Sequence, residues 1–209
     1  MQLDAFSGII YQFCTWFARL AYINLLWIFF TIVGLFIFGF FPATIAMFAT
    51  LRQFLNKSNS PVCKTFWDYY KKEFVFSNKL GLVLVIISFL FYLNITFLQT
   101  VDIRVLQLLY YPMIMLSLLF VLSVCYLFAC YVHFNQNIGI LFKNAVLIMF
   151  YNPLPNLFII FGSAAVYYAM VFIPGISFFY SGSLIALVIL SSATFAFNKV
   201  ERKQKHIEI

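Results

Sequence analysis

Long apolar runs separated by short polar stretches dominate the chain. The first run, Leu20 to Leu51, carries no Asp, Glu, Lys or Arg. As one straight helix it would extend about 48 Å at 1.5 Å per residue, well beyond a hydrocarbon core of about 30 Å. The run must therefore tilt, break or reverse. Gly34, Gly39 and Pro42 lie at its middle, and proline removes a backbone donor and clashes with the preceding turn. Two solutions remain: one long span kinked near Gly39–Pro42, which is the preferred reading, or a tight hairpin of two short spans. Later runs predict spans over 80–98, 106–131, 156–172 and 178–197, with Pro112 tolerated in the first turns of its span.

Between these runs the period changes. In 3–18, Leu3, Phe6, Ile10, Phe13 and Phe17 recur every three or four residues and form one stripe, the pattern of an interfacial amphipathic helix. Ser60-Pro61 is a helix-start signal. Residues 62–77 follow with Phe66, Trp67, Tyr70 and Phe74 on one side and Lys64, Asp68, Lys71 and Lys72 elsewhere; Asp68 and Lys72 have the spacing of an ion pair. Residues 138–151 predict a further interfacial or re-entrant helix, ended by Asn152-Pro153-Leu154-Pro155-Asn156. The fold class is therefore an all-α, polytopic membrane bundle forming one domain over 1–209. It has five main spans (six if 20–51 is a hairpin), interfacial helices and a basic tail over 198–209.

Composition supports that class. Charged residues make up only 9% of the chain and hydrophobic residues 65%, whereas a soluble domain is about 25% charged. This excludes a soluble enzyme. The net charge of +7 could suggest nucleic acid, but its distribution argues against it. Arg52, Lys57, Lys64, Lys71, Lys72 and Lys79 flank or lie in one polar segment, and Lys199, Arg202, Lys203 and Lys205 lie in the tail. This is the positive-inside pattern, and it predicts a plasma-membrane protein with 52–79 and the C-terminus in the cytoplasm. The N-terminus lacks a signal-peptide pattern and is expected to be retained. Cys14, Cys63, Cys125 and Cys130 form no CxxC pair and read as small apolar filler.

Candidate chemistry is sparse. No P-loop, HExxH, GxSxG or paired-carboxylate motif occurs, and no span interior carries an ionisable Asp, Glu, Lys or Arg, groups that ion-coupled transporters use as relays. No catalytic, cofactor-binding or metal-binding residue is assigned. His133 at a span end reads as an interfacial histidine, and His206 as a solvated one. Asn24 is either a cross-helix hydrogen-bonding residue or a helix-end residue at the headgroups. Trp27 reads as a packing or belt aromatic, and Gly162 and Ser163, with Ala164 and Ala165, as small packing residues. Gly39 and Pro42 form one candidate helix break, and Asn152, Pro153 and Pro155 a second. Phe66, Trp67, Tyr70, Lys71 and Phe74 form a candidate surface that either anchors on lipid or docks a membrane partner.

Several of these segments resemble the YesL family of bacterial membrane proteins. They are Asn24-Leu25-Leu26-Trp27, Gly34, Gly39, Pro42-Ala43-Thr44, then Phe66-Trp67-Asp68-Tyr69-Tyr70-Lys71-Lys72-Glu73-Phe74 with Asn78 and Gly81, and later Lys143-Asn144-Ala145 and Asn152-Pro153. The resemblance covers nearly the whole chain. It implies a gene often encoded beside carbohydrate ABC importers and sometimes beside sensor kinases, and brings no catalytic residue. The chain lacks the Glu-Ala-Ala loop of an importer permease, so it does not read as the pore subunit. The expectation is a non-catalytic accessory subunit in the lipid bilayer, associating with importer permeases, with no nucleic-acid partner and an oligomeric state left open. A small autonomous transporter or channel, and a membrane partner of a sensor kinase, are the alternatives.

Overall fold

The computed structural model describes residues 2–56, 60–101, 104–134 and 138–207. Among the described residues eight helices follow in order: α1 (Gln2–Val33), α2 (Ile37–Leu55), α3 (Val62–Thr100), α4 (Arg104–Leu108), α5 (Tyr110–Phe134), α6 (Ile138–Tyr151), α7 (Pro153–Phe172) and α8 (Pro174–Ile207). Six stretches of the described residues are, by length and composition, long and apolar enough to cross a membrane: Ile10–Val33, Ile37–Leu55, Val62–Thr100, Leu106–Phe134, Pro153–Phe172 and Pro174–Val200. The protein is an all-α polytopic membrane protein. Lys57, residues 102–103, and the side chains of Leu3, Phe6, Arg202, Lys203, Lys205 and His206 fall outside the described residues.

The first apolar run adopts the hairpin, which corrects the kinked-span reading. Its break is not at Gly39–Pro42 but at Gly34–Phe36, and Pro42 lies buried inside α2. Glycine decides this. A Cβ on Gly34 would overlap Gly39 Cα, and one on Gly39 would come within 2.6 Å of the Thr31 carbonyl oxygen and 2.7 Å of that of Phe30. The two backbones therefore touch where neither residue has a side chain. The reversal itself is a classic γ-turn at Phe36, with φ 59°, ψ −61° and the Ile37 amide donating to the Leu35 carbonyl at 2.7 Å.

Segments read separately from the sequence join into continuous helices. Residues 62–77 and 80–98 are both parts of α3, and 3–18 runs on into α1. No Gly or Pro stands between the halves, since Asn78-Lys79 and Arg19 are compatible with helix. The basic tail prolongs α8 for the same reason. The predicted span over 106–131 begins instead with a short α4, and α5 starts at Tyr110 with Pro112 in its first turn, where a missing amide is harmless.

The chain divides into two compact units, Met1–Phe74 with Leu157–Ser192, and Val75–Asn156 with Ala193–Ile209. The core of the first contains Ile23, Ile45, Leu51, Phe66 and Ile159. That of the second contains Leu80, Tyr126, Leu127, Leu141 and Phe197, with α5 packed along α6. Among the spans α2 is the most enclosed and α7 the most exposed.

Candidate functional site

The sharpest polar arrangement in the first unit is built on Asn24. This residue is fully buried on α1. Its Nδ2 donates to the Phe178 carbonyl at 2.9 Å, and its Oδ1 accepts from the amides of Gly182 at 2.9 Å and Ser183 at 3.1 Å. Phe178 and Gly182 are the i and i+4 groups of one α-helical rung. The amide of Asn24 thus reaches both halves of a rung of α8. Gly182 makes the approach possible, because a Cβ there would stand 3.2 Å from both Asn24 Oδ1 and Trp27 Cε3. Of the two readings of Asn24, the structure selects the cross-helix one.

One turn along α1, Trp27 is half-buried and its Nε1 donates to Thr44 Oγ1 at 3.1 Å. Thr44 in turn donates to the Phe40 carbonyl at 2.7 Å. Trp27 is therefore a packing residue, tying α1 to α2 on one side and seated against Gly182 of α8 on the other. Gly162 packs α7 on α8, with Val188 Cγ1 at 2.7 Å from a built Cβ. Ser163 and Ala164 are half-buried, and Ala165 is exposed.

The aromatic set at the start of α3 divides in two. Phe66 and Tyr70 are core residues: Phe30 stacks on Phe66 at 5.3 Å, and the Tyr70 hydroxyl donates to the Phe30 carbonyl at 3.3 Å. The same carbonyl also accepts the Gly34 amide at 3.1 Å, so Tyr70 adds a second bond to it in the last turn of α1. Trp67 stacks on the same Phe30 at 5.3 Å yet remains 40% exposed, and Lys71 Nζ sits 4.7 Å from its ring centroid. Phe74 is half-buried against Tyr70. Lys72 lies 3.7 Å from Glu73 rather than pairing with Asp68. Of the five residues proposed as a docking surface, Trp67 and Lys71 face outward, while Phe66 and Tyr70 hold the helix in place.

The second predicted break belongs to the other unit and is present. Asn152 separates α6 from α7, is buried, and donates to the Ile148 carbonyl at 3.1 Å. Asn156 donates back to the Met149 carbonyl at 2.9 Å. Pro153 opens α7 and the buried Pro155 follows in its first turn, where their missing amides cost nothing. Both asparagines therefore close carbonyls at the end of α6. His133 packs its ring on Phe134 and Phe197. The four cysteines are unbridged, and no metal-competent cluster occurs among the described residues.

Sequence reasoning found Asn24 and Trp27 but missed their partners Phe178, Gly182, Ser183 and Thr44. A signal existed for two of these. Ser181-Gly182-Ser183 is a small-residue patch inside an apolar run, the composition that lets membrane helices approach closely.

A family model described as a protein of unknown function, DUF624, matches residues 20–95, the stretch that holds Asn24, the hairpin and the aromatic set. The chain is similar to three uncharacterized proteins of Bacillus subtilis (strain 168). YteU is 36% identical over 187 residues, covering 89% of this chain and 84% of the relative. YesL is 32% identical over 195 residues, covering 93% and 92%, and YesV 28% identical over 193 residues, covering 92% and 93%. No solved structure matches. YteU and YesL are each more than 30% identical over most of this chain, and the chain belongs to their family, DUF624.

Proposed function

We propose that this chain is a non-catalytic accessory subunit of the bacterial plasma membrane, binding the permeases of a carbohydrate ABC importer and stabilising or regulating them. The observation that carries the reading is the division of the α3 aromatics. Phe66 and Tyr70 fix the helix from the inside, so Trp67 and Lys71 are presented outward on a rigid face with the ammonium already over the ring. A preordered tryptophan beside a cation loses little entropy on binding and is the residue type that anchors interfaces. On α7, Phe158, Phe161 and Tyr168 add a further exposed aromatic surface. The carbohydrate importer is the partner implied by the resemblance to the YesL family.

Orientation follows from charge: segment 52–79 and the C-terminal tail lie in the cytoplasm by the positive-inside rule. The test is purification of the tagged protein from native membranes in several mild detergents. Importer permeases should copurify with the native chain and be depleted with Trp67→Ala and Lys71→Gln. Recovery of this chain alone in every detergent would refute the proposal.

A further inference from the structure

We infer that α1 and α2 form a re-entrant hairpin, which enters and leaves the bilayer by one face and seats its tip among lipid acyl chains. This stands apart from the proposed importer partnership and rests on length, exposure and backbone pairing.

Length comes first. The base of the hairpin is marked by Arg19 and Arg52, one on each arm, and Arg19 Cζ lies 5.2 Å from the ring centroid of Phe54 on the opposite arm. Trp16 packs on the same ring at 4.2 Å. From this base each arm has only about 14 or 15 residues to the turn, about 21–23 Å of helix. The hydrocarbon core is about 30 Å thick. With both cations at the headgroups, where burial of an arginine at mid-span would otherwise cost about 3 kcal/mol, the tip falls short of the far side.

The tip is also unsuited to water. From Ile32 to Phe41 the chain has no polar side chain. Leu35 and Ile37 are each 77% exposed, and Phe36 and Phe38 are exposed beside them. Irregular backbone at membrane depth requires its polar groups to be paired. Here the amides of Gly34, Leu35, Phe36, Ile37 and Phe40 all donate to carbonyls of the turn or of the last turn of α1. The γ-turn at Phe36 supplies one of these bonds, from the Ile37 amide to the Leu35 carbonyl.

A third observation fixes the face. The Tyr70 hydroxyl bonds the Phe30 carbonyl near the tip, while Gln53 at the base lies 3.4 Å from both Tyr69 Oη and Thr65 Oγ1. Tip and base thus touch one stretch of α3, residues 65–70, which rises only about 8 Å. That stretch also carries Asp68, exposed, and is flanked by the exposed Lys64 and Lys71. A hairpin that crossed the membrane could not reach the same charged segment with both ends.

The experiment uses the full chain in liposomes, with its four cysteines replaced by serine or alanine. A nitroxide is then attached at Leu35→Cys or Ile37→Cys, with Ser60→Cys as the aqueous control. We expect relaxation of the tip labels to be strongly enhanced by oxygen and little affected by water-soluble nickel chelate, the reverse of the Ser60 site. A membrane-impermeant maleimide should label Ser60→Cys but neither tip position, from either side, until detergent is added. Strong nickel relaxation or maleimide labelling at the tip would place it in water and overturn the inference. Weak relaxation by both reagents would place it against protein and equally overturn the acyl-chain seat. Using two tip positions keeps the result readable if one variant does not fold.

Discussion

At the scale of single residues, Asn24 has the most to lose. Its amide makes three bonds to the backbone of α8 in a site sealed from solvent. In lipid such interhelical bonds contribute about 0.6–2 kcal/mol. Asn24→Ala should lower unfolding stability in detergent by about 1–2 kcal/mol. Asn24→Asp should cost more, since a carboxylate oxygen would replace the amide that donates to the Phe178 carbonyl and would turn attraction into repulsion. Gly182→Ala acts on the same contact from the other side, at 3.2 Å from Asn24 Oδ1. Because the two sites share one interaction, their effects should be non-additive in a double-mutant cycle; additive losses would show that Asn24 is not held by this rung. Asparagine in an apolar run announces itself in a sequence, as Asn24 did. Its partner was hidden because backbone groups of α8 carry no residue-specific label, and only the glycine that admits the approach leaves a trace.

At the scale of elements, the α1–α2 hairpin depends on two glycines that meet. Gly34→Ala would place a methyl group on Gly39 Cα, a backbone atom that cannot rotate away. Overpacking of this kind costs about 1–3 kcal/mol or more, and Gly34→Ala should fall at the upper end, read as a lower midpoint in a denaturation series. Gly139 and Gly175 are the controls: a Cβ at either meets nothing within 4 Å, so Gly139→Ala and Gly175→Ala should be neutral or slightly stabilising through helix propensity. Equal losses at all three glycines would remove the hairpin contact as the explanation. The length of the Leu20–Leu51 run announced that something must reverse or bend there. The position of the turn was not legible, because Leu35 and Phe36 adopt φ of 57° and 59°, a region that bulky residues seldom enter. Proline misdirected the reading: Pro42 sits early in α2, where it costs one bond to the Phe38 carbonyl and does not break the helix. At the α6–α7 junction, where Asn152 and Asn156 both cap, the polar cluster was a true boundary.

At the scale of the whole molecule, charge placement carries the last prediction. Of thirteen cations, Arg104 alone belongs to the connection between α3 and α5. The rest lie on Arg19, on segment 52–79, at Lys143 or in the tail. Helices α3, α5, α7 and α8 can each cross the bilayer once, and an even number of crossings returns the chain to its starting face. A crossing hairpin would add two more and leave that parity unchanged. Twelve cations then share one face against one on the other, a bias that sets orientation when it is carried by short loops. A fluorescent protein fused after Ile209 should therefore fold and fluoresce in cells, while alkaline phosphatase at the same position stays inactive. The phosphatase inserted in the connection between α3 and α5 should be active. Active phosphatase at the C-terminus would reverse the orientation, and activity at both sites would break the even-crossing count. The apolar lengths and the cation map made this much of the fold readable from sequence. The division into two units was legible only in part: its boundary after Asn156 follows the predicted polar break, whereas those after Phe74 and Ser192 fall inside the uninterrupted helices α3 and α8.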